Sequence, residues 1–278
     1  MREQSALPRR VIDARRPRLR QQVAWLWHHR DLALIFGRRD IAVRYRQTGL
    51  GVAWVVLQPL LGAGLFAFVF SRIARVETPG VDYFLFALAG LSLWTFFSSV
   101  LNRSALSLLN NAGLLTKAPF PRLVLPLATL PAAALDLAIA LVLVIGITSA
   151  RGNPPTLPLL LLPLGLVPLA GIALGLGFLC SALSVAYRDV QQVVPVALQL
   201  GLYASPVAYP ASAVPGGFRT LYQLNPLVGA IDCSRFALVG GHSPDALAVT
   251  YSWATALVAL VVGAWFFTRR EGAFADVV

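Results

Sequence analysis

Residues 47–71 carry no charged side chain, and they follow a segment that holds 12 of the chain's 23 Lys and Arg residues. That junction constrains the fold more than any other feature. A helix needs roughly 20 apolar residues to cross the hydrocarbon core of a bilayer, and a basic segment beside such a run is retained on the cytoplasmic face. The first crossing helix is therefore expected just after Arg46, with the N-terminus inside. Composition agrees. Charged residues make up 13% of the 278 and hydrophobic ones 57%, with a mean hydropathy of +0.71, whereas a soluble domain carries about 25% charge. Such a chain cannot cover a water-facing surface all round. It reads as an all-α polytopic membrane protein.

Runs of bilayer length lie between Arg46 and Arg72, between Asp82 and Arg103, from Leu123 to Ala150 (interrupted only by Asp136), from Leu157 to Val185, and from Ala246 to Thr268. A shorter run spans Val190 to Ala204 before Pro206. Together they predict six transmembrane helices within residues 48–268. Residues 1–24 form a basic tail expected to be disordered, 25–47 an amphipathic interface helix, and 269–278 a C-terminal tail. With both termini inside, the cytoplasmic segments hold 18 basic residues and the outward ones five; the positive-inside rule selects this orientation. No secretory-leader pattern, which needs a brief apolar core within roughly the first 30 residues, is visible, so the first span is expected to act as its own signal-anchor. The net charge of +11 does not point to nucleic acid, because the arginines cluster just cytoplasmic of a span, where they bind anionic lipid.

The connections carry further signals. Residues 25–46 place Leu32, Phe36 and Val43 on one helical stripe, as in a helix lying on the inner surface, although Gly37 interrupts it and Leu34, Ile41 and Tyr45 make a second stripe. Residues 104–111 are expected to form a short helix between spans two and three, stopped by Pro119 and Pro121, and suited to docking a soluble partner. After span five, Ser205-Pro206-Val207-Ala208-Tyr209-Pro210 and Asn225-Pro226 break a stretch too apolar for a solvated loop. Short re-entrant or interfacial helices fit, since broken backbone at membrane depth is tolerated only where protein or a cavity satisfies it. Asp136 is the only ionisable residue deep in a span. A carboxylate there costs roughly 2.5–3.5 kcal/mol and must face protein or water, in a hydrogen-bonding role or an ion-coupling one.

No cofactor or catalytic site of the chain's own is indicated. A phosphate loop needs Gly-x-x-x-x-Gly-Lys followed by Ser or Thr, and the only lysine, Lys117, precedes Ala118. No His-Glu-x-x-His or Gly-x-Ser-x-Gly occurs. Cys180 lies in an apolar run and Cys233 in an outward segment, which disfavours a disulfide between them, and two thiols alone make no metal site.

Arg39-Asp40-Ile41-Ala42-Val43-Arg44-Tyr45-Arg46, followed by Thr48, Leu50-Gly51, Trp54 and Pro59, resembles the opening of the ABC-2 type permeases that export O-antigen, capsule and teichoic-acid polysaccharides. Lys117-Ala118-Pro119-Phe120-Pro121-Arg122, Leu135-Asp136, Tyr187-Arg188-Asp189-Val190, the Ser205–Pro210 motif and Asn225-Pro226-Leu227 with Arg235 follow in the same order, covering about residues 30–270. The resemblance implies a homodimer in the bacterial cytoplasmic membrane with two copies of a separate cytoplasmic ATP-binding-cassette ATPase, which would bind ATP and Mg. It also implies an undecaprenyl-diphosphate-linked glycan as substrate. On this basis Arg39, Arg44, Tyr45 and Arg46 are candidates for the substrate headgroup. Leu108, Asn110, Asn111, Leu114 and Lys117 are candidates for ATPase docking, and Pro206, Tyr209, Asn225, Pro226 and Arg235 for an outward gate.

Sugars present flat C–H faces, so Trp54, Phe66 and Phe70 in span one and Trp94 and Phe97 in span two are candidates for a translocation path. The same aromatics also suit a bilayer interface or lipid-facing surface. An ABC-2 permease for a drug or small lipid, and a polytopic enzyme acting on lipid-linked sugars, remain alternatives.

Overall fold

The computed structural model describes residues 30–46, 52–76, 78, 80–115, 120–154 and 156–274, and all regular structure among them is helical. Helix α1 is Arg30–Arg46; α2 is Val52–Phe66, prolonged by π-helical turns over Ala67–Ile73; α3 is Tyr83–Asn110; α4 is Ala112–Leu115. Then come α5 (Val124–Leu127), α6 (Leu130–Ala150), a 3-10 turn Leu157–Leu161 leading into α7 (Leu162–Ala186), and α8 (Val190–Ala204). The last third holds α9 (Gly216–Gln223), α10 (Leu227–Val239) and α11 (Ala246–Arg270).

Five stretches are long and apolar enough to cross a membrane: Ala53–Ile73, Tyr83–Asn110, Val124–Ala150, Leu157–Ala186 and Ala246–Arg270. The sixth expected span is α8, with the expected bounds but only 15 residues. At 1.5 Å per residue it reaches about 22 Å, short of a hydrocarbon core of about 30 Å.

The helix ends follow local chemistry. The Asp82 carboxylate caps α3 by accepting from the Leu85 amide at 3.3 Å and pairs with Arg151 at 2.6 Å, tying the start of α3 to the end of α6. Asp245 caps α11 through the Leu247 amide at 3.0 Å, and Arg269 and Arg270 close that helix, where cations complement the helix dipole.

Helix α3 is the axis of the bundle. Its most apolar window is 72% buried, against 11% for the span built on α2, and it packs against α2, α6, α7, α8 and α10. The other close seam joins α7 to α11. A Cβ placed on Gly175 would lie 2.6 Å from the Leu260 backbone nitrogen, and one on Gly263 would run into the Gly175 carbonyl. The two backbones approach this closely only because both positions lack a side chain, the usual device for helix contact where lipid removes the hydrophobic drive.

Three expectations change at the polar ends. Residues 104–110 are no separate helix; they continue α3, whose 28 residues outrun the bilayer, and only α4 follows as a short turn. Helix α1 is not anchored by its apolar stripe alone. Leu32 and Phe36 are half-buried, but Val43 and Leu34 are exposed, and Gly37, expected as an interruption, is the contact point: a Cβ there would lie 2.9 Å from Pro131 Cγ of α6. The expected C-terminal tail is folded as far as Phe274, which is buried against Phe267 with ring centroids 5.2 Å apart, while the Arg122 amide donates to Glu271 Oε1 at 3.3 Å.

Candidate functional site

At the end of the bundle that carries α1, an open groove of about 440 Å³ runs between α1, the projecting end of α3, and α5. Arg39 lines one wall and Asn110 and Asn111 the other. Arg39 Nη2 donates to Asn111 Oδ1 at 3.2 Å, and Asn111 Nδ2 donates to the Ser107 carbonyl at 2.9 Å, which aims the amide across the groove. Asp40 pairs with Arg103 at 3.4 Å, so these four side chains together carry one net positive charge. The headgroup candidate Arg39 and the docking candidates Asn110 and Asn111, expected as two surfaces, share this one groove. The backbone of Arg44, Tyr45 and Arg46 is helical, but their side chains, and all of Lys117, lie outside the described residues. Leu114 is half-buried at the tip. Leu108 is different: it is fully buried in the main core, so its side chain faces α3's packing partners and is not offered to a docking protein.

The path aromatics divide. Trp54 is 53% exposed, and Phe66 and Phe70 meet edge to face at 5.5 Å on the half-buried side of the first span. Trp94 and Phe97 lie in the core, 7% and 3% exposed, with rings 5.4 Å apart. Trp94 fills the space opposite Gly201, where a Cβ would come within 2.9 Å of the indole. These two hold α8 to α3 and do not face a path in this subunit.

Charge-based reading missed three amides. Gln58 on α2 and Gln192 and Gln199 on α8 are exposed on the bundle's flank, and Gln192, Gln199 and Tyr203 follow at helical spacing along one face. An amide is costly against hydrocarbon, so these faces suit water or protein. Their signal was an uncharged polar residue inside an apolar run. Gln58 also joins Ser92, Thr95, Ser99 and Asp136 around a small cavity of about 30 Å³ between α2, α3 and α6, about the liquid volume of one water. Asp136 thus sits among hydroxyl and amide groups, as a hydrogen-bonding role requires.

At the opposite end, all five gate candidates fall into one network. Residues 205–208 are buried. Asn225 Nδ2 donates to the Ala204 carbonyl and to Ser205 Oγ, both at 3.0 Å, and its Oδ1 accepts from the Leu227 amide at 3.0 Å, starting α10. The Pro226 carbonyl accepts from Ser252 of α11 at 2.5 Å. Tyr209 donates to the Tyr203 carbonyl at 2.6 Å. Arg235, 5% exposed, donates through Nη2 to the Pro206 carbonyl and through Nη1 to Asp232 at 3.0 Å, with its guanidinium 3.8 Å from the Phe86 ring centre. Gly90 makes room for it, since a Cβ there would lie 2.8 Å from Arg235 Nη2. Burial pushes the Asp232 carboxyl above its ordinary value, and the nearby charges of Arg235 and His242 offset only part of that rise. Asp232 was legible three residues before Arg235; Phe86 and Gly90, on a distant helix, were not.

Among the described residues no three His, Cys, Asp or Glu side chains converge as a metal site. Apolar helices of bilayer length, with polar groups gathered at two ends and in a thin internal seam, define a helical integral membrane protein. The sequence places it further: the ABC-2 type transporter pattern matches residues 32–239, and the chain belongs to that family. It is 28% identical over 250 residues to the O-antigen export system permease protein RfbA of Klebsiella pneumoniae, covering 89% of this chain and 95% of that one. With RfbA of Myxococcus xanthus it shares 28% over 253 residues, 90% and 96% of the two chains. With the polysialic acid transport protein KpsM of Escherichia coli it shares 27% over 240 residues, 84% and 92%.

Proposed function

We propose that this chain is the permease subunit of an ATP-driven exporter that moves a lipid-linked polysaccharide, on an undecaprenyl-diphosphate carrier, across the bacterial cytoplasmic membrane. The observation that carries this reading is the alignment of 84–90% of the chain with permeases named for O-antigen export and polysialic acid transport. Two copies of the chain and two of a separate ATPase, which supplies ATP and Mg, make the transporter. The exposed flanks of α2 and α8 are among the surfaces available to a second copy. Both termini are cytoplasmic, supported by Arg39, Arg103, Arg122, Arg269 and Arg270, which the order of the spans puts on one face.

The groove gives the proposal its mechanism. A diphosphate headgroup needs donors at the level where the basic segment meets the membrane, and arginine's planar fork binds phosphate oxygens bidentately. Arg39 is held at the groove wall by Asn111, on the projecting end of α3 where the ATPase docks. Headgroup arrival and ATPase contact are therefore mechanically adjacent.

Deletion of the gene should remove the surface glycan and leave lipid-linked glycan inside the cell, with complementation restoring export. Purified with its ATPase in nanodiscs, the chain should show ATP turnover stimulated by the lipid-linked glycan. Undiminished surface glycan in the deletion strain, or turnover stimulated only by a drug or a short lipid, would overturn the reading.

A further inference from the structure

The gate network forms one wall of a cavity that the transport reading does not use. It encloses about 450 Å³ between α9, α10, the start of α3 and the loop 240–245, within the about 300–1,000 Å³ typical of small-molecule sites. Its frame is fixed. Gly240 and Gly241 take positive φ angles of 76° and 91°, a conformation that residues with a Cβ rarely adopt, and the turn brings Gly241 against Gly80, so the loops before α3 and after α10 touch at the mouth.

The lining is of mixed character. Phe86, Val228 and Phe236 make apolar wall; buried Arg235 is paired with half-buried Asp232; Arg219, His242 and Asp245 stand at the rim. Within that wall the Tyr222 hydroxyl and Arg235 Nε are buried without a hydrogen-bond partner among the described residues. Native proteins satisfy nearly all such groups, because a buried donor left unpaired forfeits the hydrogen bond that water would have given it.

The charges select the class of occupant. Two arginines oppose a cation, and two carboxylates oppose an anion. A purely apolar ligand would strip water from the ion pair and satisfy no donor. A neutral polyhydroxylated ring offers acceptors to arginine and tyrosine, donors to carboxylates, and a C–H face to the aromatic wall. We propose that this cavity is a saccharide-binding site, with room for a sugar ring or a disaccharide. The proposal rests on the export reading only for the source of the sugar, which is either the emerging glycan or free sugar on the outward side.

The test uses the full-length permease in nanodiscs without ATPase. Saturation-transfer NMR is recorded with methyl α-mannoside, N-acetylglucosamine and maltose as neutral probes and glucuronate as the charged one. At least one neutral probe should receive saturable transfer. Ser243→Trp, which obstructs the mouth and touches none of the buried network, should weaken it at least tenfold. Tyr222→Phe, which removes only the unpartnered hydroxyl, should weaken it several-fold. No transfer to any neutral probe, transfer to glucuronate alone, or equal transfer in wild type and Ser243→Trp overturns the proposal. Surface glycan is then measured in cells carrying Ser243→Trp. Reduced export, with the partner ATPase still bound, identifies the emerging chain as the source; unchanged export with lost binding identifies free sugar. Neutral-sugar binding by a wild-type chain that exports no glycan leaves the site standing and removes the export reading instead.

Discussion

Replacing Gly175 by alanine should force α7 and α11 apart. The new methyl would sit 2.6 Å from the Leu260 nitrogen and closer still to the Ala259 carbonyl carbon. These are backbone atoms, so no side-chain rotation relieves the overlap. Reaching an ordinary 3.4 Å contact takes an opening of roughly 1 Å, and a gap of that size forfeits about half the dispersion well of each contact it stretches. Overpacked cores lose about 1–3 kcal/mol, and a backbone obstacle places this site at the upper end. Alanine returns up to about 1 kcal/mol as the better helix former, leaving a net loss of about 2 kcal/mol. Gly146→Ala on α6 is the matched control: nothing lies within 4 Å of its Cβ position, so only the helix gain remains, about 1 kcal/mol with the opposite sign. The variants should differ by about 3 kcal/mol, or about 6–12 °C in apparent melting temperature at 2–4 °C per kcal/mol. Heating detergent-solubilised protein and measuring the folded fraction by size exclusion reads the difference directly. Equal midpoints for the two variants would falsify the reasoning, since they differ only in what the methyl meets.

Other expectations concern the two ends. Arg235→Ala strands the Pro206 carbonyl and leaves half-buried Asp232 without its partner, and should destabilise by less than the about 3–5 kcal/mol of a fully buried broken pair, with Arg235→Lys intermediate; a midpoint unchanged in both variants would show that Arg235 does not brace this end. Gly37→Leu should lift α1 from Pro131, lowering export and partner co-purification together while insertion persists, so wild-type values for both would show that the contact is dispensable. Leu114→Glu should reduce co-purification of the ATPase at unchanged permease abundance, and full recovery of the ATPase would move docking away from α4. Arg39→Ala should lower glycan-stimulated ATP turnover with the partner still bound and Arg39→Lys should rescue it in part; loss of the partner would assign Arg39 to docking instead.

Much of the helical layout was legible because charge and proline punctuate it. Asp189 and Pro206 bracket α8, and that helix begins and ends within two residues of them. Hydropathy does not report where a helix stops once it has left the bilayer, so the continuation of α3 through Ser104 and Asn110 read as a separate helix. Aromatic identity does not say whether a ring meets lipid, path or core; Trp94 and Phe97 are core because Gly201 and α8 lie across from them, a juxtaposition between distant segments. Arg235 was counted among outward basic residues, but the pair with Asp232 and the hollow at Gly90 hold its side chain in the interior. The joining of Arg39 to Asn111 is likewise tertiary, since 72 residues separate them.

The brevity of α8 bears on the physics of permeation. A polar solute crossing ordinary bilayer meets about 30 Å of low-dielectric material, and the energy of a charge there scales inversely with the local dielectric constant. Along α8 the helix supplies only about 22 Å, roughly three quarters of that thickness. The residues that follow, 205–208, are buried in protein and offer carbonyl dipoles already engaged by Tyr83 at Ala208 and by Arg235 at Pro206. Beyond the end of this helix the bundle therefore presents fixed backbone dipoles where a longer span would present apolar side chains.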